Sequence, residues 1–318
     1  MANYKDLHGF EIKHRSSDPS TPILGEIWYN TTTQTLKVAP ELSGWASGAP
    51  INTARYLHGG AGTQTAGLAF GGDTGSLSAL NESYNGVTWT EEADLNTARQ
   101  VGGGCGTQTA ALYIGGGYPP NFGEVEEYNG SSWSEGPDIS SDRRSAGAAG
   151  TSTAAILFGG IISSRSVLNE QWDGSSWTEV GDMNSARNDL AGFGTSTAAI
   201  GCGGNQSPPT ESALSESWNG TSWTATNTLN TGRLGLRGAG TSTAGLVFGG
   251  QKPANTGETE SWNGTSWTEE SDMATVRRLH ASAGTSTAAL SAGGYVTAVV
   301  TNSEEWIDGA TIRSVDTT

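Results

Sequence analysis

Six arginines recur along the chain at nearly constant intervals: Arg55, Arg99, Arg143, Arg187, Arg233 and Arg277. A ring of guanidinium groups can clamp an anion at a channel mouth, or it can bond the protein's own carboxylates and carbonyls. Repetition in every copy favours the structural use. An aspartate stands five residues before four of them (Asp94, Asp138, Asp182 and Asp272), so a local arginine–carboxylate pair is expected. The histidines are His8, His14, His58 and His280. His58 and His280 share one repeat position and are expected to pack or to line a channel, since a metal site needs more ligands. Cys105 and Cys202 lie in different copies and read as buried free thiols. These residues imply no catalytic set, no metal and no cofactor.

The elements that position them repeat. Gly-Thr-Ser/Gln-Thr turns begin at Gly62, Gly106, Gly150, Gly194, Gly240 and Gly284, with steps of 44, 44, 44, 46 and 44 residues. Each arginine lies seven residues before its turn. A fixed period of this length signals a repeat architecture. Each copy reads as four short strands. Strand a is rich in Gly and Ala, which suits backbones crowded around an axis. Strand b is apolar and ends in a glycine pair, as at Gly159-Gly160. Strand c ends in an aromatic (Tyr84, Tyr128, Trp172, Trp218 or Trp262). Asn-Gly or Asp-Gly follows, predicting a type I′ turn. Strand d carries Trp89, Trp133, Trp177, Trp223 or Trp267. Trp45 and Trp306 extend the aromatic series at each end, so an isolated first d and a final c should complete one blade between them. Residues 310–314 are the alternative source of that d strand.

The glycine pairs, spaced aromatics and four-strand repeats resemble kelch-type β-propellers over roughly residues 41–310. The resemblance implies an all-β fold, a six-bladed β-propeller over 41–318, preceded by an arm and small hairpin over 1–40. The period also lies in the WD40 range, but the Gly-His signature is absent. Sialidases are six-bladed too, yet their Asp-box is not matched by Asp173-Gly174, and no Tyr–Glu nucleophile pair stands out. Nor is the His/Tyr set of kelch-type copper oxidases present. The segment Gly25 to Val38, Gly-Glu-Ile-Trp-Tyr-Asn-Thr-Thr-Thr-Gln-Thr-Leu-Lys-Val, is similar to one common in bacteriophage tail-fibre and other virion proteins. It implies a virion structural protein made in the host cytoplasm, with other virion proteins as partners through residues 1–40. A cellular kelch-like interaction module or lectin is the alternative, and a glycan-active enzyme comes third.

Strand order places the a–b and c–d turns on one, nearly uniform face, from which the arm should leave. The b–c and d–a loops form a variable face, where binding on a rigid scaffold usually resides. Candidate ligand residues there are Tyr118, Asn121, Phe122, Arg165, Gln206, Gln251, Lys252 and Tyr295, suited to a host-surface glycan or protein. The repeated tryptophans are expected in blade packing instead. Asn129, Asn219 and Asn263 match the glycosylation sequon but read as turn residues. The formal net charge of −16 disfavours nucleic acid, and no apolar run is long enough for membrane insertion. The start lacks a secretory apolar region. An oligomer is compatible with all of this.

Overall fold

A computed structural model describes residues 12–19, 26–38, 43–117, 120–206, 210–308 and 313–314. Among these the chain is all-β, and it forms two compact units, Trp45–Trp306 and Met1–Gly44 with Ile307–Thr318.

The larger unit contains six four-stranded antiparallel sheets, each a blade. Their a strands are Gly59–Thr63, Gly103–Thr107, Gly147–Thr151, Ala191–Thr195, Arg237–Thr241 and Ala281–Gly284. Each a strand contacts the next, and the last contacts the first. The small residues are a steric requirement of that crowding. A Cβ on Gly104 would lie 2.9 Å from both the N and O of Gly60, and one on Gly192 would lie 2.7 Å from the Ala148 carbonyl oxygen.

Two hydrogen-bond circuits show the closure directly. The Leu57 N–H donates to Leu279 O, Leu279 to Gly235, Gly235 to Asp189, Asp189 to Ser145, Ser145 to Val101, and Val101 back to Leu57, at 2.8–2.9 Å. All six sit in the left-handed region, though only Gly235 is a glycine. That conformation costs an ordinary residue roughly 1–2 kcal/mol, a strain the closed belt offsets. In the second circuit, the second glycine of each pair donates to the next blade's arginine carbonyl. Gly72 N–H meets Arg99 O at 2.8 Å, and Gly294 N–H returns to Arg55 O at 2.8 Å.

The last sheet orders Ala281–Gly284, Ala288–Ala292, Ser303–Ile307 and Gly44–Gly48, so the N-terminal strand is its outer strand. Trp45 and Trp306 stand 5.7 Å apart between ring centroids, within the series of other c–d aromatic pairs such as Tyr84–Trp89 at 4.9 Å. Gln64 latches the seam, its Nε2 donating to Trp306 O at 2.5 Å and to Ala289 O at 3.3 Å. Residues 313–314 do not supply that strand; they pair with Thr35–Val38 in the smaller unit.

The c–d turns differ from the expected type I′. Gly86 has φ 89°, but Asn85 is not among the residues of positive φ. Four residues connect the strands, and the Asn85 side-chain oxygen accepts the N–H groups of Val87 and Thr88 at 2.9 and 2.8 Å. The side chain therefore organises the turn locally, and one positive φ suffices.

In the smaller unit, Ile27–Asn30 and Thr35–Val38 form the expected hairpin. Lys13–Arg15, expected as part of an extended arm, instead pairs parallel with Ile27–Asn30. Asp18 fixes that fold-back, its Oδ1 accepting from Trp28 Nε1 at 2.9 Å and Asn30 Nδ2 at 2.8 Å. Trp28 is fully buried as a result.

Candidate functional site

The arginine ring is buried and paired within the fold. All six side chains are buried, and each pairs with a buried glutamate on strand c of its own blade. Arg143–Glu170 is 2.5 Å, Arg187–Glu216 is 2.8 Å and Arg233–Glu260 is 2.7 Å. The expected partners, Asp94, Asp138, Asp182 and Asp272, are not the ones used. They sit on the exposed connector, whereas strand c lies beneath the guanidinium. The sequence signal that finds the true partners is a glutamate two residues before each strand-c aromatic: Glu82, Glu126, Glu170, Glu216, Glu260 and Glu304.

Each glutamate has a second task. Glu170 Oε2 accepts the Ser140 N–H at 2.7 Å, and Glu260 Oε2 accepts the Asn230 N–H at 2.7 Å. Equivalent bonds reach Asn52, Asn96, Asn184 and Ala274. The carboxylate thus holds the d–a connector arriving from the preceding blade. Burial pushes the Arg55 guanidinium down and the Glu82 carboxyl up from their ordinary values, with their mutual attraction opposing both shifts. Burying both charges costs desolvation that offsets much of their attraction, so the pair's presence alone says little about net stability.

The variable face is built on the same repeat but carries different side chains. The residue after each ring arginine is Tyr56, Gln100, Arg144, Asn188, Leu234 or Arg278. Opposite stands the residue after the glycine pair. Tyr56 bridges Asp73, Arg144 bridges Ile161, Asn188 bridges Asn205, Leu234 bridges Gln251 and Arg278 bridges Tyr295. Identical backbone therefore displays a different pair in each of these blades.

One cluster stands out on this face. The Arg278 guanidinium lies over the Tyr295 ring at 5.1 Å, and Tyr295 packs on Tyr56 with centroids 5.5 Å apart. Gln251 Oε1 accepts from Arg278 Nη1, and Asn255 Nδ2 donates to the carbonyls of Tyr295 and Val296 at 3.0 and 2.6 Å. Both tyrosines and Arg278 remain half-buried. Burial first, then Asp73 and Tyr295, raise the Tyr56 phenol above its usual range, while Arg278 opposes them. Of the expected ligand residues, Gln251 and Tyr295 meet here. Tyr56, Arg278 and Asn255 were missed, although variation right beside an invariant arginine was a visible signal.

The other candidates are placed differently. Asn121 is a loop pin, with Nδ2 donating to Ile161 O and Ile162 O at 3.0 and 2.7 Å and Oδ1 accepting from Arg144 Nη1 at 2.5 Å. Its polar atoms are engaged between two loops. Phe122 opens strand c and packs beside Gly117. Arg165 closes a small loop through a bridge to Ile161. Gln206 lies in a two-residue strand, Asn205–Gln206, that pairs with Thr210–Glu211, and Lys252 pairs with Glu258. Tyr118 lies outside the described residues.

No protein-family model matches the chain, and no curated protein matches it in sequence. Its structure is similar to that solved as YjhT, with a TM-score of 0.70 at 12% identity, covering 84% of this chain and 99% of that one. The likeness shows the fold, a six-bladed propeller in keeping with the kelch-like repeat. None of the comparisons speaks for the virion link that residues 25–38 imply.

Proposed function

We propose that the protein is a non-enzymatic binding disc whose variable face takes a host-surface glycan or protein, and that the unit containing residues 12–38 attaches it to a virion. The observation that carries the binding reading is the Tyr56–Tyr295–Arg278 cluster, which joins residues from separate blades on one half-open surface. Sugar faces stack on aromatic rings, and an arginine held by Gln251 offers further donors at the edge. The six repeated glutamates support a non-catalytic reading, since each is committed to an arginine and a connector amide. The virion attachment rests on the likeness of residues 25–38 to virion segments.

A glycan array probed with the full chain tests the binding. Tyr295→Ala is expected to abolish the signal without shifting the melting temperature, because the ring is half-exposed. Binding that survives both Tyr295→Ala and Tyr56→Ala would move the site elsewhere. Antibody labelling of purified particles checks the virion assignment; unlabelled particles would defeat it.

A further inference from the structure

The axis of the ring holds a second polar feature that breaks the repeat twice. The first residue of strand a is Gly59, Gly103, Gly147, Ala191 or Ala281 in five blades, and Arg237 in the sixth. At the belt position, Leu57, Val101, Ser145, Gly235 and Leu279 are uncharged, and Asp189 carries a charge. Both exceptions line one axial cavity of ≈ 60 Å³, together with His58, Ser145, Ser282 and glycine backbone.

Each charge is held, but not by the other. Arg237 Nε donates to His280 O at 2.8 Å and Nη1 to Leu236 O at 3.1 Å, which leaves Nη2 without a partner among the described residues. Asp189 Oδ2 accepts from Asn188 Nδ2 at 2.7 Å. Their partners are other groups, so the two charges form no ion pair with each other. The cavity lining thus carries an anchored donor and an anchored acceptor, contributed by neighbouring blades.

We propose that this axial cavity binds a small zwitterion of the α-amino-acid type, its carboxylate on Arg237 and its ammonium on Asp189. A simple anion would be repelled by Asp189, and a simple cation by Arg237. A ligand carrying both charges a few atoms apart meets each with its opposite. A cavity of ≈ 60 Å³ holds only a few water-sized groups, which restricts the ligand to the smallest α-amino acids, such as glycine, alanine or serine. Val101, Ala146, Ala148, Leu190 and Ala191 share the lining with glycine backbone, Ser145 and Ser282, and it is the small volume that leaves no room for a longer side chain.

Isothermal titration of the full chain with glycine, alanine and serine tests this, with acetate and methylamine as single-charge controls. Glycine should bind, and both controls should bind at least about tenfold more weakly. Arg237→Ala installs a residue already tolerated at two equivalent positions, and Asp189→Gly copies Gly235, so both variants should fold. Each should lower glycine affinity about ten- to a hundredfold. Acetate binding as tightly as glycine, glycine binding unchanged in either variant, or no heat from any amino acid would overturn the proposal. Tyr295→Ala should leave glycine binding intact, so this result and the glycan result fail independently.

Discussion

The two faces of the ring share one backbone and differ in what the repeat does with it. On the uniform face, side chains serve the turn. Thr151 Oγ1 accepts the Ala154 N–H at 3.2 Å, and the Trp172 indole donates to Ser152 O at 2.9 Å. Trp218, Trp262 and Trp306 make the same bond to Ser196, Ser242 and Ser286. In the first two blades strand c ends in tyrosine and the turn carries Gln64 or Gln108. There the glutamine reaches the preceding blade, as Gln108 Nε2 does to Gly67 O at 3.1 Å. Variation on this face therefore preserves bonding. On the variable face it changes chemistry, from Tyr56–Asp73 to Leu234–Gln251 to Arg278–Tyr295. The buried Arg–Glu layer between the faces lets one vary while the other stays fixed.

The largest expected effect attacks that layer. Arg143→Ala leaves Glu170 buried and uncompensated, and should lower stability by about 3–5 kcal/mol in urea unfolding. The double change Arg143→Met with Glu170→Leu should recover much of the loss. A single variant as stable as the parent would show that the connector is held by something else, and the contrast between layer and surface would collapse.

Crowding at the axis comes next. Gly192→Val puts a side chain against the Ala148 backbone and should cost about 1–3 kcal/mol. Leu234→Ala, on the variable face of the neighbouring blade, should change stability by less because Leu234 is half-exposed. Equal losses in thermal unfolding would mean that the variable face is part of the framework.

His58 and His280 lie between the two regimes. Burial, then the neighbouring arginines, hold both imidazoles well below the usual histidine range, so both are neutral in the fold. Their folded values are depressed, so their stabilising contribution is full above about pH 6.5 and is lost as pH falls. Two such sites give a slope of up to about 2.7 kcal/mol per pH unit between pH 6.5 and 5. His58→Leu, which copies Leu190 and Leu236 at the same repeat position, should halve that slope in denaturant titrations at several pH values. An unchanged slope would place the acid sensitivity in other groups.

The propeller was legible because a 44-residue period survives any misreading of single strands. Trp45 and Trp306 were legible for the same reason, as members of a series. The Arg–Glu pairing was written as plainly, but proximity in sequence favoured the aspartates while strand pairing brought the glutamates close. The left-handed belt was hidden, since Leu57, Val101 and Leu279 carry no turn signal and their conformation is imposed by closure. Tyr56 and Arg278 were hidden by a preference for long loops. The structure shows the variable positions beginning one residue from the invariant arginine.

The smallest expected effect concerns the two thiols. Cys105 lies in strand a of the second blade and Cys202 ends strand b of the fourth. Burial pushes both up to about 12, so neither forms appreciable thiolate near neutral pH. A disulfide reagent should leave both unlabelled in the native ring and label both after unfolding, with no change in stability under reducing or oxidising conditions. Cys105 is the sharper probe, because strand a carries the axial contacts. Labelling of Cys105 in the native protein would mean that the inner strands separate on the time scale of the reaction. The inner strands would then be the mobile part, and the division between a fixed framework and a variable surface would have to be redrawn.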